Sequence, residues 1–425
     1  MPTSPAQTGA TDADLLRSAR ESVAEVASMR AVHKAFDWIH LHERDIAADQ
    51  MDVTGIPAPP FGEGARAKWL VERLQELGLE NAEIDEIGNV VALLPGSDDP
   101  RKGVFAVTAH IDTVFPAGTE IKVRRDGGRI LGPGVSDNAA GVAALVAIAT
   151  AMRQADVVPE MPILFVGNVG EEGEGDVRGM RYLFGDSDWG KRIKYTLVLD
   201  GAGTDSIVTQ ALGSRRFRVT MRGPGGHSWS DFGVPNPIVA LSHAITNFSD
   251  TAVPANPKTT FNFGVIEGGT SVNSIPEEAS MKVDLRSASP EEITKLEKTL
   301  REVLDRAVAE GSNSRGRRRD GAGQLSYEMK LIGNRPAAEL PPKSKLLATL
   351  QVVDSHLGNS ARLQRASTDA NIPLSLGKEA VAIGAGGQGG GAHTLHEWYD
   401  PANRELGLKR ILLSILAITG VETAK

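Results

Sequence analysis

Short apolar runs alternate with longer helical patterns over the first half of the chain. Residues 104–109, 163–166 and 196–199 are apolar runs of the kind that form strands buried on both faces. Between the first two runs, residues 139–152 are rich in alanine, valine and leucine and are long enough for a helix. Strands of this kind, interleaved with helices, predict an α/β sheet that is covered on both sides.

The pattern changes near residue 213. Apolar and polar residues alternate at Phe217, Val219 and Met221, and the same period of two recurs in three later segments. A helix is predicted over 237–248, and another begins at Ser289, where a capping box and a proline favour a first turn. The order β-α-β-β-α-β with one polar face predicts a small α+β domain of ferredoxin-like type.

The α/β pattern returns after Gly333, where a strand at 380–383 lies between two predicted helices. A chain of 425 residues is too long for one compact core. We therefore predict an α/β domain with a mixed sheet, formed by residues 1–212 and 334–425. A smaller domain, residues 213–333, is inserted into it.

Composition excludes several classes of function. The 46 basic and 54 acidic residues give a net charge of −8, which argues against a nucleic-acid partner. We interpret the one basic run, residues 315–319, as a solvated loop. Cysteine is absent, so disulfides and thiolate sites are excluded, and any metal must be held by histidine, aspartate and glutamate. Because residues 1–20 hold no signal-peptide core and no apolar stretch is long enough for a membrane span, we expect a cytoplasmic protein with no membrane partner.

Histidines and carboxylates follow the ends of the predicted strands. In chain order they are His110 and Asp112, Asp137 before the alanine-rich helix, Glu171 and Glu172, Asp200, and the pair His393 and His396. Ligand sites in open α/β sheets form at the carboxyl edge, so these side chains can converge. Each group also has a structural interpretation by itself, such as a helix N-cap for Asp137 or an acidic turn for Glu171 and Glu172.

Taken together, these side chains indicate a metal site. Two histidines and three carboxylates supply nitrogen and oxygen ligands that suit zinc or its divalent neighbours. If one carboxylate bridges, two ions can lie roughly 3.5–4 Å apart, as in two-metal hydrolases. The glycine-rich run 384–391 fits neither a phosphate loop nor a dinucleotide fingerprint.

As a set, the motifs resemble those of the superfamily of two-zinc peptidases and aminoacylases that includes peptidase T, carboxypeptidase G and acetylornithine deacetylase. They run in the family's order from about residue 35 to the end of the chain: TAHIDTVF, GPGVSDNAAG, GEEGEGD, VLDGAG, RGPGGHS, GGTSVNSIP, DLRS and GGGAHTLHE. The segments IPAPPFGEGAR and IDEIGNVVALLPG resemble the peptidase branch. One difference is Asp137-Asn138-Ala139, where peptidase T carries Asp-Asp-Lys, and it argues against identity with peptidase T itself.

The resemblance implies a ligand set of two histidines and three carboxylates, with one carboxylate shared. The ligands would be His110 and Asp200 for one ion, Glu172 and His393 for the other, and Asp137 as the bridge. The two divalent ions are expected to be zinc, with cobalt or manganese as alternatives. His396 competes with His393, but the family's ligand stands four residues before a glutamate, which favours His393.

The resemblance also implies catalytic groups beside the ligands. Asp112 would orient the imidazole of His110, which fixes the nitrogen that faces the metal. Glu171 would be the general base that takes a proton from the metal-bridging water and relays it to the leaving nitrogen.

The inserted domain resembles the family's lid and dimerisation domain, which implies a homodimer. His227 matches the lid histidine that stabilises the oxyanion, often from the partner subunit, and a turn histidine is the alternative interpretation. Asn273 and Arg286 match positions that hold the polar ends of the substrate, and a strand-edge charge is the alternative for Arg286. Gly390, in the glycine loop, would let the substrate backbone approach closely.

We therefore predict a dimeric metallopeptidase that hydrolyses short peptides, similar to peptidase T-like aminopeptidases or dipeptidases. Two alternatives stay open: an N-acyl-amino-acid amidohydrolase of the same fold, such as a deacylase or carbamoylase, and a non-catalytic binding protein. Loss of a ligand or of Glu171 would favour the binding protein, and none is missing. The sequence does not decide between recognition of a free amino and a free carboxyl terminus.

Overall fold

The computed structural model describes residues 12–312 and 324–422. The chain divides into two compact units. Unit 1 is formed by the residues up to Ala211 and from Glu339, and unit 2 is Leu212–Ala338.

Helices and strands are numbered along the chain. The helices are α1 (Asp12–Ser28), α2 (Arg30–Leu41), α3 (Glu43–Gly55), α4 (Gly64–Glu76), α5 (Ala139–Gln154), α6 (Arg178–Gly185), α7 (Pro237–Ser249), α8 (Pro290–Ser312), α9 (Lys345–His356), α10 (Asn371–Ser375) and α11 (Arg404–Thr419). The strands are β1 (Glu80–Ile84), β2 (Val90–Leu94), β3 (Val104–His110), β4 (Arg124–Asp126), β5 (Arg129–Leu131), β6 (Ile163–Asn168), β7 (Ile193–Leu199), β8 (Ser206–Ala211), β9 (Gly213–Arg222), β10 (Gly226–His227), β11 (Thr259–Gly268), β12 (Ser274–Ile275), β13 (Glu278–Ser287), β14 (Ser326–Arg335), β15 (Ala338–Glu339), β16 (Arg362–Ala366), β17 (Glu379–Ile383), β18 (Gln388–Gly390) and β19 (Trp398–Asp400).

Unit 1 is built around a nine-stranded mixed sheet. Its order is β1-β2-β6-β3-β7-β17-β8-β15, and β16 pairs with β8. The four central strands β6, β3, β7 and β17 are parallel to one another, and β2 and β8 flank them in the antiparallel direction. The predicted fold class, an α/β domain with a mixed sheet, is confirmed.

Both faces of the central strands are buried because helices cover both. In β3, Phe105 and Val107 pack in a cluster with side chains of α1 to α5, α9 and α11, whereas Val104 and Ala106 pack with α6 and α10. A strand that is buried on both faces needs apolar residues at every position, not at alternate ones. This is why the central strands are apolar runs in the sequence.

The described part of the chain begins with three helices, α1 to α3, and no element was predicted from the sequence in this region. In α2, the buried residues Val32, Ala35 and Ile39 recur at intervals of three and four. This spacing places one apolar stripe against the core of unit 1. The helical spacing of apolar residues was therefore present in the sequence of α2, although it involves only three buried positions.

Unit 2 is a four-stranded antiparallel sheet that carries two helices. Its order is β11-β13-β9-β14, and α7 and α8 pack on the face that holds Phe217, Val219 and Met221. Helix α8 begins at the predicted capping box, where the N–H of Glu292 donates to Oγ of Ser289 at 3.3 Å. The predicted β-α-β-β-α-β order and its ferredoxin-like topology are confirmed.

Three expectations from the sequence concern other properties of the chain. The basic run 315–319 lies outside the described residues. The bounds 213–333 stay a proposal for the part that folds as a separate domain. Within the described ranges, no helix combines the length and the apolar character that crossing a membrane requires.

Candidate metal centre

Four parallel strands end at one edge of the nine-stranded sheet, and the predicted ligands lie at this edge. His110 is the last residue of β3 and lies beside Asn168, the last residue of β6. Asp200 follows β7, and its backbone N–H donates to the carbonyl of Ile383 at the end of β17, at 3.0 Å. The parallel register therefore brings side chains from distant parts of the sequence to one place.

Asp137 and Asn138 lie directly before the buried helix α5. The N-cap of this helix is Asn138, whose side-chain oxygen accepts hydrogen bonds from the N–H groups of Gly141 at 3.2 Å and Gly201 at 3.1 Å. The side-chain amide of Asn138 also donates to the carbonyl of Leu199 at 2.9 Å. The capping role considered for Asp137 thus belongs to its neighbour, and the Asp137 carboxylate faces the histidines.

One group of three ligand atoms surrounds His110. Its Nε2 atom lies 3.1 Å from Oδ1 of Asp137 and 4.0 Å from Oδ1 of Asp200. The three ligand atoms lie within 4.8 Å of one another, a spacing that one metal ion can span. His110 is buried, so its ring has a single defined environment.

A second group of three ligand atoms shares Asp137 with the first. The Nε2 atom of His393 lies 3.0 Å from Oδ2 of Asp137 and 3.1 Å from Oε1 of Glu172. The two oxygens of Asp137 therefore approach different histidines, as a carboxylate that bridges two ions must do. His396 has no hydrogen bond or ion pair to these carboxylates among the described contacts, so the geometry favours His393 over His396.

Asp112 connects the first histidine to the glutamate pair. Its Oδ1 atom lies 3.4 Å from Nδ1 of His110, on the side of the ring away from the ligand group. The same carboxylate accepts hydrogen bonds from the backbone N–H of Glu171 at 3.0 Å and of Glu172 at 2.8 Å. One ligand atom each of His110, Glu171 and Glu172 lies within 4.8 Å of the others. Of these contacts, only the one with His110 was expected from the sequence.

Burial and mutual charge shift the pKa values of these groups. Burial, together with the negative charge of Asp137, raises the pKa of Asp200 to about 7. Hydrogen bonds to Asp137 and Glu172 raise the pKa of His393 to about 10. Burial alone would raise the pKa of Asp137, but the hydrogen bonds from His110 and His393 lower it. Without metal ions, protons on the histidines therefore stabilise the carboxylates.

The chemistry of the donors fits two divalent ions. Each group of three supplies one imidazole nitrogen and two carboxylate oxygens, and the two groups share Asp137. Zinc and its divalent neighbours accept this combination of ligands. The structure therefore supports a site for two divalent metal ions.

Unit 2 brings together His227, predicted to stabilise the oxyanion, and Asn273, predicted to bind the substrate. His227 pairs with Ser274 across the small β10–β12 ladder, and the N–H of Ser228 donates to the carbonyl of Asn273 at 3.0 Å. His227 is exposed, and its Nδ1 atom accepts a hydrogen bond from the N–H of Trp229 at 3.2 Å. The ring is thus oriented by the turn that follows it, and its other nitrogen is not used by that turn.

Arg286 lies on β13, in the main sheet of unit 2. Its Nε atom donates to Oδ2 of Asp284, two residues earlier on the same strand, at 2.6 Å. The guanidinium is partly exposed, so it offers further donors while Asp284 restrains it. The predicted contact of Arg286 with a substrate carboxylate stays a prediction.

A cavity of about 730 Å³ opens beside Asp137 and Asp200 in unit 1. The segments 201–205 and 387–392 form its walls, and Trp398 contributes to its lining. A Cβ atom at Gly390 would lie 2.7 Å from the Trp398 ring. Packing against Trp398 is a sufficient reason for glycine at this position, and the predicted approach of a substrate to Gly390 stays a prediction.

Three polar residues at the centre were not singled out from the sequence. Asn138 caps α5 and also binds the loop after β7. Glu397, used in the sequence only to choose between two histidines, has a buried carboxylate that binds backbone amides. Arg66 is a fully buried cation in α4. The cap is a local signal, because asparagine directly before an apolar helical run is a preferred N-cap. The other contacts of these three residues join segments distant along the chain, and no local pattern indicates them.

Comparison with known proteins assigns a family to this arrangement. Residues 106–416 match the family described as Peptidase family M20/M25/M40. The matched span includes every predicted ligand and the whole of unit 2.

Two curated relatives differ in how much they cover. The chain is 23% identical to the uncharacterized protein YqjE of Bacillus subtilis over 365 residues, which is 81% of this chain and 91% of that protein. It is 31% identical to a probable carboxypeptidase of Ajellomyces capsulatus over 224 residues, 48% of this chain and 49% of the relative. The second match thus spans about half the length of the fungal protein.

Solved structures share the fold over most of the chain. The aminopeptidase PepT of Bacillus cereus superposes with a TM-score of 0.68 at 21% identity, covering 88% of this chain and 98% of that one. The YXEP protein of Bacillus subtilis, described as a dinuclear metal binding peptidase from the M20 family, has a TM-score of 0.63 at 15% identity and covers 90% of this chain and all of its own. At these identities the likeness establishes the fold.

The pKa shifts predict how pH affects the metal-free protein. The pKa of His393 is raised from 6.5 to about 10, so its contribution to stability is complete below pH 6.5 and is lost as the pH rises towards 10. The raised pKa of Asp200 acts in the same direction between pH 3.8 and about 7. We therefore expect the thermal midpoint in chelator to fall as the pH rises above 6.5. Bound cations should reduce this fall, because they replace the protons.

The measurement is a series of thermal melts with chelator and with added zinc. His393→Ala should show a smaller fall in chelator than the wild type, since it lacks the group whose pKa is raised. A wild-type midpoint that stays constant or rises over this range would contradict the electrostatic picture of the centre.

Proposed function

This chain belongs to peptidase family M20/M25/M40, as its motifs predicted, and on that premise we propose that it hydrolyses amide bonds of short peptides at a two-metal site. The observation that carries the proposal is the pair of ligand groups that share Asp137, with Glu171 beside one of them. A two-metal site with an adjacent carboxylate outside the ligand set supplies what metal-assisted amide hydrolysis needs, which is a polarised carbonyl, an activated water and a general base.

Five side chains would hold the metal ions. They are His110 and Asp200 for one ion, Glu172 and His393 for the other, and Asp137 for both. Zinc is the metal that we propose, with cobalt or manganese as alternatives, because all three accept nitrogen and oxygen ligands. When bound, the ions supply Lewis acidity, which polarises a carbonyl group and lowers the pKa of water.

Glu171 is the general base of the proposed mechanism. It is buried, its backbone N–H donates to Asp112, and one of its carboxylate oxygens lies within 4.8 Å of ligand atoms of His110 and Glu172. Glu171 takes a proton from the attacking water and delivers it to the leaving nitrogen. Asp112 contributes by orienting His110 and by holding the backbone of both glutamates.

The cavity in unit 1 supports recognition of a positively charged end of the substrate. Its lining includes Asp137, Asp200 and Asp205, and no lysine or arginine belongs to it. Asp137 and Asp200 are assigned to the metal ions. Asp205 has no ion pair with any residue that the structure describes, so it is the carboxylate available to a substrate ammonium. We propose that the free amino terminus of a short peptide binds here.

The placement of residues within unit 2 supports a role for a second copy of the chain. His227 and Asn273 adjoin the end of the sheet where β9 ends at Arg222 and β13 begins at Glu278, whereas Arg286 is near the far end of β13. At about 3.4 Å per residue, these ends of β13 are roughly 27 Å apart. A tripeptide at about 3.6 Å per residue spans roughly 11 Å. One copy therefore does not bring both sets of side chains to the same short peptide, and we propose a homodimer in which His227 acts on the partner's site.

The adjacent glutamates give a prediction about separate roles. Glu171→Gln should fold, keep both ions and lose nearly all turnover, because the amide does not accept the proton. Glu172→Gln should weaken the binding of one ion, and excess metal should restore part of its activity. Metal content and turnover are measured on both purified variants. Metal loss in Glu171→Gln together with metal retention in Glu172→Gln would show that the two roles are reversed.

A panel of matched di- and tripeptides, free, N-acetylated and C-amidated, gives a prediction about the substrate. We expect the free peptides to be cleaved fastest, with products identified by mass. Asp205→Asn should reduce the preference for free over acetylated peptides roughly twofold to fivefold, the scale of an exposed ion pair. Asp37→Asn removes the same charge from α2, outside the cavity lining, and should leave the preference unchanged. Preference for acetylated single amino acids would instead indicate an N-acyl-amino-acid amidohydrolase.

The proposed dimer predicts that two inactive variants restore each other. His227→Ala should lower turnover roughly a hundredfold or more, the usual cost of losing an oxyanion donor, and should change substrate affinity less. Mixed with Glu171→Gln under conditions of subunit exchange, roughly a quarter of wild-type activity should return, since about half of the dimers are mixed and each has one intact site. If mass measurements show exchange and no activity returns, His227 does not act on the partner's site.

A further inference from the structure

The carboxylate of Glu397 is fully buried and binds three backbone N–H groups. Its Oε2 atom accepts a hydrogen bond from the N–H of Gly134 at 2.7 Å. Its Oε1 atom accepts hydrogen bonds from the N–H of Ser136 at 2.7 Å and of Asp137 at 2.8 Å. All three donors belong to the loop that carries the shared ligand of the metal centre. Glu397 therefore contacts this loop through both of its oxygens.

Glu397 also belongs to the loop that carries the other histidine. Glu397 comes four residues after His393, and its backbone N–H donates to the carbonyl of Thr394 at 3.3 Å. Its carbonyl accepts a hydrogen bond from the N–H of Gly132 at 3.1 Å. The strand that begins at the next residue pairs with β5, where Trp398 lies opposite Leu131. The pairing of β19 with β5 therefore joins the loop of His393 to the loop of Asp137. The Glu397 side chain joins the same two loops just beyond the end of this pairing.

A carboxylate at this place is costly in the absence of a specific role. The side chain of Glu397 is withdrawn from water and lies against the loop that carries the negative charge of Asp137. The nearby buried cation, Arg66, donates to the backbone carbonyls of Ile56 at 2.7 Å and Ile111 at 3.1 Å. The charge of Arg66 acts on Asp112 first and on Glu397 second, so the three amides are the direct partners of the Glu397 carboxylate.

We propose that Glu397 is a positioning residue that holds Asp137 in place relative to His393 and thereby sets the affinity of the centre for its metal ions. This inference rests on the ligand roles proposed for Asp137 and His393. Glu397 is not a catalytic residue, because its oxygens are all occupied by the backbone of this loop and the side chain has no exposed surface. Its effect on the reaction passes through the shared ligand.

Glu397→Gln tests the proposal with a side chain of nearly the same size. An amide places an N–H₂ group against one or two of the backbone N–H donors, so the loop must move. We expect metal affinity, measured by competition with a chromophoric chelator, to fall roughly tenfold to a hundredfold, the usual cost of losing a group that holds a ligand. At saturating metal, turnover should recover substantially, unlike that of Glu171→Gln.

Asp354→Asn is the matched control for a purely structural role. Asp354 is a buried carboxylate of unit 1 that pairs with Arg410 at 2.7 and 2.9 Å, on helices α9 and α11. Its replacement should lower the thermal midpoint and leave metal affinity unchanged. If Glu397→Gln behaved in the same way, with a lowered midpoint and wild-type metal affinity, the positioning role would be wrong.

Glu397→Asp keeps the charge on a side chain that is one carbon shorter. It does not reach all three amides from the same backbone position, so metal affinity should fall here too. If only a buried negative charge were needed at this position, Glu397→Asp would have the metal affinity of the wild type. That result would overturn the proposal, and it does not depend on whether Glu397→Gln folds. The affinity measurement uses no substrate, so it decides the role of Glu397 separately from the proposed peptidase activity.

Discussion

Acidic groups that meet at a buried sheet edge repel one another unless cations or hydrogen-bond donors lie beside them, and this constraint organises unit 1. Asp137, Glu172 and Asp200 each lie in a group that contains a histidine. Burial and the charge of Asp137 raise the pKa of Asp200. Hydrogen bonds to the carboxylates raise the pKa values of His110 and His393, although burial acts in the opposite direction. A centre with this excess of carboxylates is stabilised by any cation placed within it. The same property enables it to bind two divalent ions.

The ligands are held mainly through the backbone of the loops that carry them. Asp112 binds the amides of the glutamate pair, Glu397 binds the amides of the Asp137 loop, and Asn138 binds the amide that follows Asp200. Each of these side chains therefore restrains a ligand without occupying a ligand position. Groups of this kind commonly affect metal affinity as strongly as the ligands themselves.

The two units contribute different parts of the proposed chemistry. Unit 1 contains the complete set of proposed ligands and the proposed base, and a cavity whose charge suits an amino terminus. Unit 2 contains a histidine and an asparagine at one end of its sheet and an arginine near the other end. Membership of the peptidase family is shared by chains with different substrates, so the residues around the centre, not the fold, decide what is cleaved.

The sequence by itself determined the elements and the identity of the donors. Apolar runs indicated the buried strands, alternation indicated the sheet of unit 2, and the absence of cysteine limited the ligands to histidine and carboxylate. These features depend only on neighbouring residues or on overall composition, so the sequence alone is enough to identify them. Helices α1 to α3, of 17, 12 and 13 residues, show the limit of this approach, since few of their positions are buried and apolar.

Only the tertiary structure decided which oxygen of Asp137 approaches which histidine, that Asn138 caps α5, and that Glu397 binds the loop before that helix. The contacts of Asp137 and Glu397 join residues that lie far apart in the sequence, whereas the cap is a local contact for which Asp137 and Asn138 are both suitable residue types. A hydrogen bond between a side chain and a distant backbone amide depends on the path of both segments in space, and it requires no particular residue type at the amide. For this reason no motif or period in the sequence indicates it.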